Sequence, residues 1–291
     1  MIHKAKKSLG QNFLKSKPAL NMMISAGEVG NADTIVEIGP GKGALTEKLL
    51  ENAGHVIAIE KDRDLIDFLK EKFATEIENG KFELVQGDCL EWNPKVLKGS
   101  NYKLIANIPY NITGAILKKF LSEENQPERM VLLVQKEVAE RIVARDGKES
   151  ILSISVKAYG TPKYMMKVEK RFFSPAPKVD SAIIAITAIS KKNFESESPL
   201  PLPRGGLGRG ELIKNPLTVS PLVRGRGTQN AESRFFEILK AGFAHKRKVL
   251  KKNLEDSLSK EKIVELFKTH NIDEKVRAED IKLQNWLDFI K

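Results

Sequence analysis

The sequence has little cysteine and no long hydrophobic run, and each absence excludes a class of protein. Among the 291 residues, Cys89 is the one cysteine. A single thiol cannot form a disulfide framework or a thiolate metal cluster, so we expect Cys89 to be a small buried apolar residue in a reducing compartment. No apolar stretch is as long as a membrane span, and the first residues, MIHKAKKSLGQNF, lack the apolar core of a signal peptide. We therefore expect a soluble cytoplasmic protein with no membrane partner.

Acidic residues are scarcer than basic ones. The formal net charge is +11, and residues 1–17 contain several lysines and no acid. This imbalance favours a polyanionic partner such as nucleic acid, although excess lysine can also serve solubility. Inside the basic stretch, the uncharged residues QNFL at positions 11–14 indicate that the segment docks on something. With 41% hydrophobic residues, the chain can form one sizeable core and a smaller second domain.

The stretch of residues 34–50, TIVEIGPGKGALTEKLL, predicts a strand, a glycine turn and a helix. Glycines such as Gly39 and Gly41 let a ligand approach the backbone, although a plain tight turn is the alternative. Neither a P-loop GK[ST] nor a dehydrogenase GxGxxG is present. Glu60 closes the next apolar run, about twenty residues after the first glycine, where an acid can accept both ribose hydroxyls of a nucleoside cofactor. The pattern resembles the first motif of S-adenosylmethionine-dependent methyltransferases.

Apolar runs at 82–85, 103–106 and 130–134 predict the next strands of one sheet. Asp88 follows the first of these runs, which places an acid at the edge where open α/β sheets bind ligands. A role as a helix N-cap is the alternative for Asp88. Helices are predicted at 62–73 and 137–143.

The strand at 103–106 leads directly into Asn107-Ile108-Pro109-Tyr110. The exocyclic amine of adenine is a poor nucleophile, because its lone pair is delocalised into the ring. The Asn107 side-chain oxygen and the Ile108 carbonyl could accept its hydrogens and favour a tetrahedral nitrogen. Pro109 would stiffen the turn and Tyr110 would offer a face on which a flipped-out base can stack. An ordinary strand-ending turn is the alternative.

Apolar residues alternate with serine at 151–156, and residues 182–187 form an apolar run. Both segments are predicted as strands. Between them lies FFSPAPKVDS at 172–181, a loop that its prolines make rigid. This loop could present Phe173 opposite Tyr110, so that a target base is gripped on both faces. Plain packing of Phe173 is the alternative.

From 195 to 229 the composition changes to proline, glycine and arginine with no aromatic residue, so the segment cannot build a core. A disordered linker or insertion is favoured over an RNA-binding arm rich in Arg-Gly. After it, the spacing of apolar residues from Phe236 to Leu254 predicts a helix whose outer side is basic, carrying His245, Lys248 and Lys252. More short helices complete an all-α domain of about sixty residues.

With these motifs in hand, the chain resembles the small-subunit (16S) ribosomal RNA adenine N6,N6-dimethyltransferases over nearly its whole length. The matching stretches are QNFL (11–14), EIGPGKG (37–43), Glu60, Gly87-Asp88, NIPY (107–110), LVQKE (133–137), FSPAPKVDSA (173–182), residues 243–254 and RAEDI (277–281).

The resemblance implies an α/β fold: a Rossmann-like methyltransferase domain with a seven-stranded, mostly parallel sheet at 1–190, and a small helical RNA-binding domain at 231–291. Residues 191–230 would be the linker. It also implies dimethylation of two adjacent adenosines in a hairpin loop near the 3′ end of 16S rRNA, within an immature small subunit. The expected catalytic residues are Asn107, Ile108, Pro109, Tyr110 and Phe173. The expected S-adenosylmethionine contacts are Asn12, Leu14, Gly39, Gly41, Glu60, Asp88 and Asn107. We expect a monomer that needs no metal.

The chain departs from the family pattern in two places. Glu149-Ser150 stands where members often show Tyr-Gly, and the segment at 195–229 is longer than the usual connection. Two alternatives are a large-subunit (23S) rRNA adenine N6-methyltransferase of the macrolide-resistance type and a non-catalytic ribosome-assembly factor. RAEDI and the basic stretch at 243–254 favour the small-subunit enzyme over the first. The intact glycine turn and NIPY argue against the second.

Overall fold

The computed structural model describes Lys6 and residues 9–97, 99–195 and 230–290. The predicted linker lies mostly outside these residues. The strands are β1 (Phe13–Leu14), β2 (Thr34–Ile38), β3 (His55–Glu60), β4 (Phe82–Gln86), β5 (Lys103–Asn107), β6 (Arg129–Gln135), β7 (Thr161–Val168), β8 (Phe173–Ser174) and β9 (Ser181–Thr187). The α-helices are α1 (Lys17–Gly27), α2 (Ala44–Asn52), α3 (Arg63–Lys72), α4 (Ala74–Glu78), α5 (Thr113–Ser122), α6 (Lys136–Val143), α7 (Ile151–Lys157), α8 (Ala231–Gly242), α9 (Leu250–Leu254), α10 (Lys260–Thr269) and α11 (Leu283–Asp288).

Seven strands form one sheet in the order β4-β3-β2-β5-β6-β9-β7. The first five of these are parallel, and β9 pairs antiparallel with both β6 and β7. The central strands β5 and β6 are apolar between their polar first and last residues, as expected of parallel strands with helices on both faces. The predicted α/β class with a seven-stranded, mostly parallel sheet is confirmed.

Alternate residues of each strand point to opposite faces, and each face carries its own core. On one face, Ile35 and Ile105 pack with buried residues of α1, α2 and α3. On the other face, Val36 and Leu104 pack with α5, α6 and α7, and this cluster continues into the C-terminal helices. The sheet is thus the middle layer of a three-layer domain.

The strand order reverses between β2 and β5, and this reversal decides where a ligand can bind. The chain runs outward from β2 through β3 to β4 and then returns to β5 on the other side of β2. The connections on the two sides leave in opposite directions, so a crevice opens at the carboxyl ends of these two strands. The predicted glycine turn follows β2 and NIPY follows β5, so both motifs lie at this crevice.

Among the C-terminal helices, α8 packs beside the end of α7 through an aromatic cluster. The Phe235 ring of α8 lies 5.4 Å from that of Phe194, and the Phe236 ring lies 6.1 Å from Tyr159 and 6.2 Å from Phe194, measured between ring centroids. Phe194 belongs to a 3₁₀ turn at Lys192–Phe194. No helix among the described residues has the length and apolar character that a membrane crossing requires.

The prediction of a strand at 151–156 is wrong, because these residues form α7. Ser150 accepts a hydrogen bond from the Ser153 amide at 3.1 Å, and the Ser153 hydroxyl accepts one from the Ser150 amide at 2.7 Å. This reciprocal capping box starts a helix. The resemblance had led us to expect Tyr-Gly at 149–150, and the serine found at 150 supplies the helix cap.

The prediction of one continuous helix through residues 243–254 is also wrong. Helix α8 ends at Gly242, residues 243–249 form a turn, and α9 begins at Leu250. The Asn253 side-chain Nδ2 donates hydrogen bonds to the carbonyls of Gly242 at 2.7 Å and His245 at 3.2 Å. In a continuous helix these carbonyls would instead accept bonds from backbone amides four residues later. The basic residues 245–248 are therefore exposed on a turn, which we call the basic turn.

Strands β1, β7 and β8 were not predicted from the sequence either. Strand β7 at the sheet edge has the mixed sequence TPKYMMKV, which shows neither clean alternation nor a continuous apolar run. The short pair β1 and β8 joins Phe13 to Ser174 and Leu14 to Phe173 in an antiparallel ladder. This ladder fixes the N-terminal segment beside the crevice.

Candidate active site

A cavity of about 610 Å³ opens at the crevice. Its size lies within the usual range for small-molecule and cofactor sites. Ten of the residues proposed from the sequence are part of its wall. The proposed residues that line it are Asn12, Leu14, Gly39, Gly41, Glu60, Asp88, Asn107, Ile108, Pro109 and Tyr110. Residues from five separate segments therefore meet around one space.

The glycine turn forms the part of the wall that follows β2. Gly39 has a φ of 65°, and a Cβ built there would meet nothing within 4 Å, because it would project into open space. Gly41 has a φ of 59°, and a Cβ there would lie 2.9 Å from the Phe13 ring. A side chain at 41 would therefore push the N-terminal segment away, and both positions need glycine.

Glu60 closes β3 and is tied to the glycine turn. Its Oε2 accepts the Gly41 amide at 3.1 Å and its Oε1 accepts the Asp62 amide at 2.8 Å. The residue is 6% exposed, and burial raises its pKa against these hydrogen bonds. A carboxylate has about four acceptor sites, so this one can still accept hydroxyl donors from a ligand.

Glu37 is a second buried acid, at the carboxyl half of β2. Its carboxylate accepts the Thr46 hydroxyl of α2 at 2.7 Å, and the residue is 1% exposed. Burial raises the pKa of Glu37 to about 8, and the nearby Glu60 charge acts in the same direction. Glu37 is therefore largely protonated at neutral pH, which keeps a second negative charge away from Glu60.

Asp88 follows β4 and begins a tight turn. Its Oδ1 accepts the Leu90 amide at 2.9 Å, and its Oδ2 accepts the Lys61 ammonium at 2.8 Å. The Lys61 bond lowers the pKa of Asp88, so the acid is charged. No α-helix begins at Asp88, so the alternative of a helix cap does not apply. Neighbouring Cys89 is 6% exposed, as expected of a buried apolar residue.

An N-terminal strap, residues 9–15, covers one side of the cavity. Gln11 Nε2 donates to Asp62 Oδ2 at 2.6 Å, and Lys6 forms an ion pair with the same carboxylate. Burial of Asp62 opposes ionisation, but the bonds from Lys6 and Gln11 outweigh it and lower its pKa. Because the Asp62 amide also donates to Glu60, one residue connects the strap to the acid at the end of β3.

Asn107 is the last residue of β5, and it also contacts the strap. Its Nδ2 donates to the Asn12 carbonyl at 3.1 Å. This bond uses the donor end of the amide and leaves Oδ1 as an acceptor at the cavity wall. The Ile108 side chain is 2% exposed in the core, which anchors the backbone carbonyl that follows β5.

Tyr110 is held through its hydroxyl. The Tyr110 Oη and Ser181 Oγ lie 2.5 Å apart, and Ser181, the first residue of β9, is fully buried. Burial raises the pKa of Tyr110, so the phenol stays neutral and hydrogen-bonded. The hydrogen bond to buried Ser181 therefore fixes the Tyr110 ring at the cavity wall.

Phe173 does not occupy the position expected from sequence. Its side chain is 4% exposed and packs in the core with Leu14 and Val168. The β1–β8 ladder accounts for this, because it turns Phe173 inward and leaves Ser174 to line the cavity. In this structure Phe173 therefore forms no wall opposite Tyr110, and the packing alternative describes it.

Three residues of the site were missed by sequence reasoning. Asp62 anchors the strap, Ser181 anchors Tyr110, and Thr46 holds Glu37. Asp62 and Ser181 act through partners more than fifty residues away in the chain, so local spacing could not reveal them, whereas Thr46 lies nine residues from Glu37 in the same strand–turn–helix stretch. The one sequence feature that pointed to Ser181 was its position at the end of the FSPAPKVDS segment, which carries part of the resemblance described above. Among the described residues, no group of three or more His, Cys, Asp or Glu side chains is arranged to hold a metal ion.

Comparison with known proteins decides the family. Residues 2–198 match the family of ribosomal RNA adenine dimethylases. The chain belongs to this family. The ribosomal RNA small subunit methyltransferase A of Dehalococcoides mccartyi (strain BAV1) is 38% identical, over 97% of this chain and 86% of the relative. The one of Fusobacterium nucleatum is 35% identical, over 100% of this chain and 98% of the relative.

Two solved structures share the fold of this chain. A dimethyladenosine transferase from Plasmodium falciparum superposes with a TM-score of 0.72 at 24% identity, covering 95% of both chains. The 23S rRNA methyltransferase ErmE superposes with a TM-score of 0.69 at 22% identity, covering 96% of this chain and 98% of the other. At these identities the likeness shows the Rossmann-like fold, which agrees with the sheet described above.

Proposed function

We propose that this member of the ribosomal RNA adenine dimethylase family transfers methyl groups from S-adenosylmethionine to the N6 atoms of two adjacent adenosines. The substrate would be a hairpin loop near the 3′ end of 16S rRNA in an immature small subunit. One observation carries the proposal: the glycine turn with Glu60 and the segment Asn107–Tyr110 line the same cavity. A nucleoside cofactor and a flipped-out base can therefore meet there.

The residues present fit S-adenosylmethionine. Gly39 leaves open space at the cavity, and the Glu60 carboxylate is positioned by two backbone amides to accept ribose hydroxyls. Asp88 and the strap supply further polar groups around the same space. When bound, the cofactor supplies a methyl group activated by a sulfonium. The strap excludes water from that side of the cavity.

The chain's own residues would orient the acceptor amine. Asn107 Oδ1 and the Ile108 carbonyl would accept the two hydrogens of the adenine N6, which directs the nitrogen lone pair into the cavity. Tyr110 would hold the base by stacking, with its ring fixed by Ser181. The chain needs no strong base in this scheme, since the proton can leave after methyl transfer.

The small subunit is the proposed source of the RNA. Relatives that are 35% to 39% identical over nearly the whole chain are named ribosomal RNA small subunit methyltransferases. The exposed basic turn at 245–248 and the basic N-terminal residues would contact phosphates. The cytoplasmic location, the monomeric state and the assignment of residues 191–230 as a linker stay predictions.

Thermal unfolding tests the cofactor half of the proposal. S-adenosylmethionine should raise the Tm of the wild-type chain, and Glu60→Ala should abolish most of the shift. A lost hydrogen bond to a charged acceptor typically costs about 1.5–3 kcal/mol of binding energy. Glu83→Ala, at an exposed acid of β4, is the matched control and should keep the full shift.

Two outcomes would contradict this assignment. An equal Tm shift in Glu60→Ala and wild type would mean that Glu60 does not bind the ligand. A larger shift with NAD than with S-adenosylmethionine would favour a dehydrogenase cofactor instead.

A further inference from the structure

An exposed aromatic ring stands among cations beside the active-site cavity. Phe172 is 36% exposed, while Phe173 next to it is buried. The surrounding cations are exposed as well. We call this set the rim platform: Lys15, Lys17, Lys170, Arg171 and Phe172. Lys15 of the platform lines the cavity, and so does Ser174, two residues beyond Phe172.

The platform is held rigidly by the backbone. The Phe172 carbonyl accepts a hydrogen bond from the Lys15 amide at 2.8 Å, and the Phe172 amide donates one to the Glu169 backbone carbonyl at 3.0 Å. Asp180 accepts the Lys170 amide at 3.0 Å from across the loop. Phe172 then leads directly into β8. The backbone that carries the ring is therefore fixed before a partner binds, which lowers the cost of ordering this segment on binding.

The chemistry of the platform fits single-stranded nucleic acid. The Arg171 guanidinium lies over the Phe172 ring, 5.1 Å from its centroid. An aromatic ring and a guanidinium plane are the two side-chain surfaces on which unpaired bases stack. The acids nearby are already engaged, since Glu169 pairs with Arg171 and Asp180 with Lys167. Five cations at this rim, Lys15, Lys17, Lys167, Lys170 and Arg171, therefore outnumber these two acids, and a polyanion is the complementary partner.

We propose that the rim platform binds the RNA strand next to the target adenosine, with one unpaired flanking base stacked on Phe172 and the neighbouring phosphates on the lysines and Arg171. The proposal rests on the proposed function, because it needs an RNA substrate. It gives Phe172, rather than the buried Phe173, the stacking role on this side of the cavity. The base on Phe172 is a neighbour of the methylated one, so the contact contributes to substrate binding and not to the chemical step.

Steady-state methylation of immature small subunits tests the proposal. Phe172→Ala should raise the KM for subunits by roughly 5- to 150-fold, the range of one base–aromatic stack, with kcat and the Kd for S-adenosylmethionine unchanged. Phe172→Trp should keep the wild-type KM, whereas Phe172→Leu should resemble Phe172→Ala. The matched control is Phe68→Ala, which removes another exposed phenylalanine, 39% exposed on α3, and should behave as wild type.

A wild-type KM in Phe172→Ala, or in Phe172→Leu, would overturn the stacking role. Photocrosslinking gives a second readout that does not depend on kinetics. A p-benzoylphenylalanine at position 172 should crosslink to rRNA within a few nucleotides of the methylated adenosines, and one at position 68 should not. A crosslink from position 172 to a ribosomal protein would overturn the proposal in favour of a protein contact. If the wild-type chain methylates no rRNA, the proposed function itself fails, which is distinct from either outcome.

Discussion

At the scale of single residues, the hydroxyl of Tyr110 has a positioning role that can be separated from stacking. Tyr110→Phe and Ser181→Ala should each lower kcat by about 2- to 12-fold, because each removes one neutral hydrogen bond of about 0.5–1.5 kcal/mol. The double variant should lose no more than the worse single variant, since both changes break the same contact. Tyr110→Ala should lose more, about 1–3 kcal/mol of base stacking. Single-turnover methylation rates provide the measurement.

The opposite result would assign chemistry to the phenol. If Tyr110→Phe is as inactive as Tyr110→Ala while Ser181→Ala is active, the hydroxyl takes part in the reaction itself.

A second residue-scale prediction concerns the buried acid Glu37. Its pKa is about 8 in the folded chain, above the ordinary value of 4.5. The folded state therefore binds the Glu37 proton more tightly than the unfolded state. The stabilisation that the protonated Glu37 carboxyl provides is fully present below about pH 4.5 and is lost as the pH rises to about 8. Glu37→Gln keeps an acceptor for Thr46 and removes the titration. Between about pH 4.5 and 8, the free energy of unfolding of the variant should therefore rise relative to that of wild type, by a total on the order of 4 kcal/mol.

Urea unfolding of both proteins without cofactor, from pH 5 to pH 9, measures this difference. A difference between the two free energies of unfolding that stays constant with pH would show that Glu37 titrates normally. Subtracting the two curves removes the contribution of other groups, Glu60 included.

At the scale of elements, the strap and its anchor decide how the cofactor is enclosed. Gln11→Ala removes the bond to Asp62 and should raise the Kd for S-adenosylmethionine by about tenfold, the range expected for a lost bond to a charged group. Backbone amides of residues 9–14 should exchange faster in the same variant. Gln284→Ala breaks a similar bond, from Gln284 to Asp288 at 3.2 Å in α11, and serves as the control.

Calorimetric titration and hydrogen exchange provide the two measurements. A Gln11→Ala variant that exchanges as wild type and binds the cofactor normally would show that the bond from Gln11 to Asp62 is not needed to hold the strap.

The same elements show what sequence could and could not predict. The parallel strands and the crevice followed from apolar runs and from the glycine turn, since those patterns are local and one-dimensional. Helix α7 was mistaken for a strand, because six alternating residues fit both periods and only the capping box of Ser150 and Ser153 separates them. The break between α8 and α9 depends on Asn253 reaching back to Gly242, which no local periodicity contains. The inward turn of Phe173 depends on pairing with Leu14, more than a hundred residues earlier in the chain.

At the scale of the whole molecule, basic surfaces lie on two separate parts of the chain. The rim platform borders the cavity, and the basic turn belongs to the C-terminal helices. Those helices are fixed to the catalytic sheet by the aromatic cluster and by an ion pair of Lys148 with Glu279 at 2.7 Å. A folded RNA could therefore contact both surfaces while one adenosine enters the cavity. This arrangement suits a ribosomal substrate better than a free nucleotide.

We propose that this chain dimethylates adjacent adenosines of small-subunit rRNA. The identity of the methylated nucleoside tests this proposal. Immature small subunits from a strain without this enzyme should be incubated with labelled S-adenosylmethionine and the chain, then digested to nucleosides and separated. We predict that the label appears in N6,N6-dimethyladenosine at two adjacent positions of 16S rRNA, with or without EDTA. With Asn107→Ala, the rate should fall by about 10²–10³-fold, as for the loss of one oriented transition-state contact. Label that appears in 23S rRNA instead, in a nucleoside other than methylated adenosine, or at an undiminished rate with Asn107→Ala would contradict it.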